Sequence, residues 1–194
     1  PKQLHVLYVI KMQLASSYGS MKQYDKADEL FSSAEEIISK LVTINPQAYL
    51  SEKLYLHNNW GTILLRQKLY VKAEMQFQMA YDIVRQLYKE QATMNNKLLT
   101  LVIGGALANA KSFQPQKWDS GKALFDEVVP QMIDLYENVN GNMIKPYLVI
   151  LYQQYAFAQS KHGDYENALQ LIDKAIMLDP NNANSYDSKG EILF

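Results

Sequence analysis

The 194-residue chain contains only three imidazoles, His5, His57 and His162. A zinc site or a histidine base needs a second ligand or an orienting acid close by, as in the His-Glu-x-x-His spacing, and none of the three has such a neighbour. No metal is expected. The ordinary roles are a packed or surface position for His5 and His57 and a helix-terminal one for His162. Gly104-Gly105 lies in an apolar helical run with no lysine-serine or lysine-threonine after it, so close helix packing accounts for it better than a phosphate loop. No serine stands in a nucleophile-elbow sequence. Carboxylates such as Glu35-Glu36 fall on charged helix faces, and two adjacent acids point in different directions on a helix, so they form no acid/base pair. The chain is expected to be no enzyme and to need no cofactor.

Fourteen tyrosines are the remaining chemical resource. Tyr24, Tyr70 and Tyr165 recur at one position of a repeated pattern, and Tyr18, Tyr81 and Tyr155 sit at helical spacing beside it, so all six are expected in the core. Tyr55, Tyr147 and Tyr152 are not fixed by the pattern. With 19 basic and 20 acidic side chains the net charge is -1, which offers no concentrated basic face for nucleic acid. The longest apolar runs, such as Tyr147 to Tyr152, are far shorter than the ~20 residues that span a bilayer. Zero cysteines exclude disulfides, zinc thiolates and cysteine nucleophiles, and the compartment stays open. A globular chain of this length buries roughly 70% of its unfolded surface.

The elements that must position any site come from a repeat. The stretches YDKADELFSSA, YVKAEMQFQMA, WDSGKALFDEV and YENALQLIDKA begin at Tyr24, Tyr70, Trp118 and Tyr165. Each places an aromatic residue, then a small one three positions on, a large apolar one four further, and a small or medium one three further. That is one helix face. Ala15, Gly61 and Ala156 precede Ala27, Ala73 and Ala168, respectively, by twelve positions, which supplies a closely packed antiparallel partner helix. Each unit is therefore a helical hairpin. Lys161 and His162 suit the end of a first helix, Gly163 the left-handed C′ position and Asp164 the next N-cap, while Pro180 ends the second helix. Asn45-Pro46 reads as an N-cap and first helical position.

Helices are expected at about 3–20, 24–42, 46–67, 70–92, 95–112, 118–137, 144–162, 165–178 and from 183 to the end, with no strands. Pro130 should kink or end its helix. The Phe113-Gln114-Pro115-Gln116 insertion leaves the register of the third unit's first helix open. Because Phe194 stops inside a helix and Pro1 stands where a methionine would start, the chain reads as a fragment of a longer protein.

The run GDYENALQLIDKAIMLDPN resembles the second half of a tetratricopeptide repeat, with Gly163, Tyr165, Ala168, Ala175 and Pro180 at that family's signature offsets. Tyr186 and Gly190 follow Tyr152 and Ala156 by the family's thirty-four residues and open a truncated fifth unit. The aromatic starts are 46, 48 and 47 residues apart, so the three earlier units are longer than the standard one. The resemblance implies an all-α fold, a right-handed superhelical solenoid of antiparallel helix pairs with an extended concave surface. It is read as a single domain over 1–194, in units of about 3–42, 46–92, 95–137, 144–180 and 183–194.

In that family the first helix of each unit lines the groove. Carrying those positions across puts Tyr55, Asn58, Thr62 and Arg66 there in the second unit, Gln153 and Phe157 in the fourth, and Met12 and Ser16 in the first. The 55, 58, 62, 66 spacing is independently one helical stripe. The family's lysine and asparagine clamp for chaperone-tail carboxylates is not reproduced, since Met12, Ser16, Gln153 and Phe157 stand in its place. The implied function is a non-catalytic scaffold that binds a peptide or helix of a protein partner, with self-association possible and neither nucleic acid nor membrane insertion expected. The alternative is a sensory or regulatory segment of a larger signalling protein whose kinase or DNA-binding output lies elsewhere.

Overall fold

A computed structural model describes residues 1–193; Phe194, where the expected last helix ends, lies outside the described residues. These residues form nine α-helices: α1 Lys2–Ser20, α2 Tyr24–Ile44, α3 Pro46–Arg66, α4 Tyr70–Glu90, α5 Met94–Ser112, α6 Trp118–Asn138, α7 Gly141–Lys161, α8 Tyr165–Leu178 and α9 Ala183–Leu193. A 3₁₀ turn, Pro115–Lys117, precedes α6, and no strand occurs among the described residues. Consecutive helices pack on one another, α1 on α2, α3 on α4 and α7 on α8, as short connections between helices require. This is an all-α helical-repeat fold. The chain divides into two compact units, Pro1–Ile103 and Gly104–Phe194, with the division inside α5.

In the first unit the core is built by the repeated helix face. Ala27, Phe31, Ala34, Ile38 and Leu41 of α2 recur at alternating steps of four and three and are all fully buried. Removing a ring such as Phe31's from so closed a site costs about 3–5 kcal/mol. Ala15 of α1 and Ile63 of α3 close on Ala27 and Phe31. Gly61 of α3 meets the ring of Phe77 on α4, which would lie 2.9 Å from any added Cβ.

The second unit repeats the scheme with Phe125 and Val128 of α6 and Ala168, Ile172 and Ala175 of α8. Here the third hairpin's register, open in the sequence, is fixed by Gly121. A Cβ on it would come within 2.8 Å of the Ser112 backbone nitrogen and 2.9 Å of the Ala108 carbonyl oxygen. The small partner thus stands thirteen positions before Gly121 rather than twelve, because the 3₁₀ turn lengthens the connection. Gly105 of α5 lies against Leu151 of α7, so close packing does explain one of the paired glycines.

Three hairpins turn in the same way. The N–H of Lys22 bonds the carbonyl of Gly19 at 3.1 Å and that of Gln23 the carbonyl of Tyr18 at 2.9 Å; Lys68 with Leu65 and Leu69 with Leu64 repeat the pair, as do Gly163 with Ser160 and Asp164 with Gln159. This double bond is the Schellman ending, whose C′ residue must be left-handed. Lys22, Lys68 and Gly163 have φ of 59°, 60° and 81°.

Several expectations need correction. Of the two outcomes expected at Pro130, a kink or an end, the helix end does not occur, since α6 continues to Asn138. The proline is exposed and removes one N–H from the helix ladder without ending it. The seventh helix begins at Gly141 rather than 144, because the Asn140 side chain accepts from the Met143 N–H at 3.1 Å, and Pro146 sits inside it. Tyr165 is 56% exposed, and Tyr24 and Tyr70 are only half-buried. As first residues of their helices these rings sit at the hairpin turn, where Tyr24 still packs against the cluster of Ala15, Ala27, Phe31 and Ile63. Tyr81 and Tyr155 are buried, as expected, and Tyr18 is half-buried.

Candidate protein-binding surface

The α3 helix is started by Asn45, whose side chain accepts from the Ala48 N–H at 3.2 Å, with Pro46 at the first position. Its buried side carries Leu54, Leu56, His57, Gly61, Ile63 and Leu64. Tyr55, Asn58, Thr62 and Arg66 form a separate stripe in which Tyr55 and Arg66 are exposed and the other two half-buried. The Thr62 hydroxyl is turned back to donate to the Asn58 carbonyl at 2.9 Å. The Asn58 side-chain amide and the Arg66 guanidinium bond no described residue. Both groups therefore keep their hydrogen-bonding capacity for an external partner. Met12 and Ser16 hold the corresponding places on α1, both half-buried.

Gln153 and Phe157 of α7 lie in the second unit, apart from the α3 stripe. The Gln153 amide donates to the Ser185 hydroxyl at 2.8 Å and to Asn182 Oδ1 at 3.4 Å. The Phe157 ring tilts against Phe113 at 5.7 Å, and Lys161 Nζ lies 4.8 Å from its centre. Both side chains already have neighbours within their own unit.

The histidines are structural in three different ways. The His5 ring lies 2.9 Å from both carboxylate oxygens of Glu52. His162 Nε2–H donates to the Ser112 carbonyl at 2.9 Å while its ring stacks on Trp118 at 3.8 Å. It thereby satisfies the last carbonyl of α5, where the sequence pointed only to the end of its own helix. His57 is 1% exposed, with Nδ1–H donating to Gln76 Oε1 at 2.7 Å and Nε2 unpartnered. Burial holds its basicity below the usual imidazole value, and the nearby Lys53 cation acts in the same direction.

Glu35 was expected on a solvated face, but it is half-buried. Ser39 donates to it at 2.8 Å and Lys53 Nζ lies at 3.3 Å. Burial opposes its ionisation, yet these donors and the Lys53 charge prevail and hold the carboxyl below its ordinary value. Glu36 is exposed. Sequence reasoning missed a small apolar cleft of about 180 Å³ in the second unit, lined by Ile133, Tyr136, Leu148, Tyr152 and Met177. Its members come from α6, α7 and α8, so no local spacing announces it. Among the described residues no cluster of three metal-ligating side chains occurs, and no helix is long and apolar enough to cross a membrane.

Paired helices with a repeated small-large packing face define a helical-repeat protein. More particularly, the tetratricopeptide-repeat family model matches residues 9–40 and 150–182, so the α1–α2 and α7–α8 hairpins are similar to tetratricopeptide repeats, and the nine helices are consistent with a repeat protein of that kind. No curated protein matches it. Tetratricopeptide repeats are protein–protein interaction modules and typically act as non-catalytic scaffolds.

Proposed function

We propose that the protein is a non-catalytic scaffold whose first unit binds a peptide or helix of a protein partner along the Tyr55, Asn58, Thr62, Arg66 face of α3. The observation that carries this reading is the unspent hydrogen-bonding capacity of Asn58 and Arg66 on one stripe beside an exposed aromatic ring. Asn58 reads a peptide backbone through its amide, Arg66 pairs with a carboxylate or carbonyl, and Tyr55 adds apolar contact. Gln153 and Phe157 offer the equivalent face in the second unit, where a ligand must share them with Ser185 and Phe113.

The test is selection of binders from a displayed peptide library, followed by affinity measurement on wild type and on an Asn58→Ala/Arg66→Ala double variant. The selected peptide should bind the variant at least about tenfold more weakly, the loss of one charged and one neutral hydrogen bond. A ligand that binds only the folded chain should also raise its melting temperature. Equal affinity for both proteins would refute the proposed face.

A further inference from the structure

The apolar cleft of about 180 Å³ in the second unit is an irregularity of the repeat. Superposing Trp118 on Tyr24 and Ala156 on Gly61 puts Val129, Ile133, Leu148 and Tyr152 at the places of Glu35, Ser39, Lys53 and His57. In the first unit that junction is closed from within, because Lys53 donates to Ser39 at 2.8 Å and lies 3.3 Å from Glu35. In the second, Val129, Ile133 and Leu148 replace all three members of that cluster, and a hollow remains between α6, α7 and α8.

The hollow is not the seat of the next helix of the stack. The α9 helix meets α8 where Lys189 Nζ lies 2.6 Å from Asp173, and α7 where Gln153 donates to Ser185 at 2.8 Å. No described residue of α9 lines the cleft.

Its lining combines an apolar floor with three polar groups. Ile133, Leu148 and Leu178 supply the floor, and Met177, 80% exposed, forms an adaptable outer lip. Tyr152 is only 5% exposed, yet its hydroxyl bonds no described residue. The Glu137 carboxylate and the Lys174 ammonium are exposed at the rim and make no ion pair with a described residue; Lys174 Nζ lies 5.9 Å from the centre of the Tyr152 ring. Burial, and then the Glu137 charge, push the Tyr152 phenol above its usual pKa, so its hydroxyl is a donor at neutral pH.

We propose that this cleft binds a free α-amino acid with a large apolar side chain, its ammonium paired with Glu137 and its carboxylate with Lys174 and the Tyr152 hydroxyl. Size and charge both favour this ligand. A cavity of about 150 Å³ is large enough for benzene, so the hollow takes one leucine- or phenylalanine-sized side chain and little more. One anionic acceptor and two donors around an apolar floor complement an ammonium, a carboxylate and an apolar side chain carried on one carbon. An apolar side chain within a peptide has neither charge on its backbone and leaves both rim groups unpaired. The site is independent of the α3 face, which lies in the other unit.

The probe is L-phenylalanine, with L-leucine beside it, titrated against the chain isotope-labelled at its isoleucine, leucine and methionine methyl groups. Saturable shifts are expected at the methyls of Ile133, Leu148, Met177 and Leu178. The Kd should rise at least about threefold with Glu137→Gln, with Lys174→Gln and with Tyr152→Phe. Glu137 and Lys174 are exposed, so both charge variants should keep the wild-type methyl spectrum before ligand is added. Altering the ligand repeats the test on an unaltered chain: phenylalanine amide and N-acetylphenylalanine, each lacking one charge, should bind at least about threefold more weakly. Absence of saturable shifts overturns the proposal, as does a Kd that either charge variant leaves unchanged. So does N-acetylphenylalanine amide binding as tightly as the free amino acid, which would assign the cleft to an apolar side chain of a protein partner.

Discussion

His57 carries a consequence at the level of a single side chain. It is buried as a neutral ring between Gln76 and the Lys53–Glu35 pair, with Nε2 unmatched. Its folded pKa lies below the unfolded 6.5, so the folded state binds fewer protons, and the stability this supplies is present above pH 6.5 and falls as pH drops below it. Glu35, also lowered, acts in the same direction below its ordinary 4.5. The melting temperature should therefore fall between pH 7 and pH 5. Asparagine can keep the hydrogen bond to Gln76 without a titrating ring, so His57→Asn should flatten that slope; an unchanged slope would show that the imidazole is not its source. None of this was legible in the sequence. His57 occupies a place that α1 fills with Lys11, and only the closure of α2, α3 and α4 around it reveals that it is buried.

At the scale of elements, the turns make the sharpest test. Gly163 was recognisable as a C′ residue by its type, but Lys22 and Lys68 were not, although each stands two residues before the repeated tyrosine as Gly163 does. Their left-handed backbone carries a cost that glycine escapes. Lys22→Gly/Lys68→Gly should raise stability by roughly 0.5–1 kcal/mol per site, visible as a higher melting midpoint. A lower midpoint would mean that the lysine side chains contribute more than the strain costs. Gly121 gives the opposite sign: its Cβ position is occupied by backbone of α5, which cannot swing aside as a side chain can. Gly121→Ala should destabilise by about 1–3 kcal/mol in chemical denaturation, and a neutral result would refute the close approach of α6 to α5.

For the molecule as a whole, the helices and their pairing were legible because the packing face recurs: Ala27, Phe31 and Ala34 return as Ala73, Phe77 and Ala80, and as Ala168, Ile172 and Ala175, all buried. The helix starts lacked such redundancy, and α7 begins three residues before the expected 144, on the Asn140 cap. The candidate site was legible only in part. Helical spacing gathers Tyr55, Asn58, Thr62 and Arg66 from one element, whereas the engagement of Gln153 by Asn182 and Ser185 and of Phe157 by Phe113 depends on residues 29 to 44 positions away.

The measurement that bears most directly on function is an amide chemical-shift map of the isotope-labelled chain titrated with a library-selected peptide. If the protein is a scaffold that binds through α3, the largest perturbations will fall along residues 55 to 66 and the Asn58 and Arg66 side-chain resonances will move with them. Perturbations confined to residues 6 to 14 of α1, or scattered without a focus, would contradict that assignment.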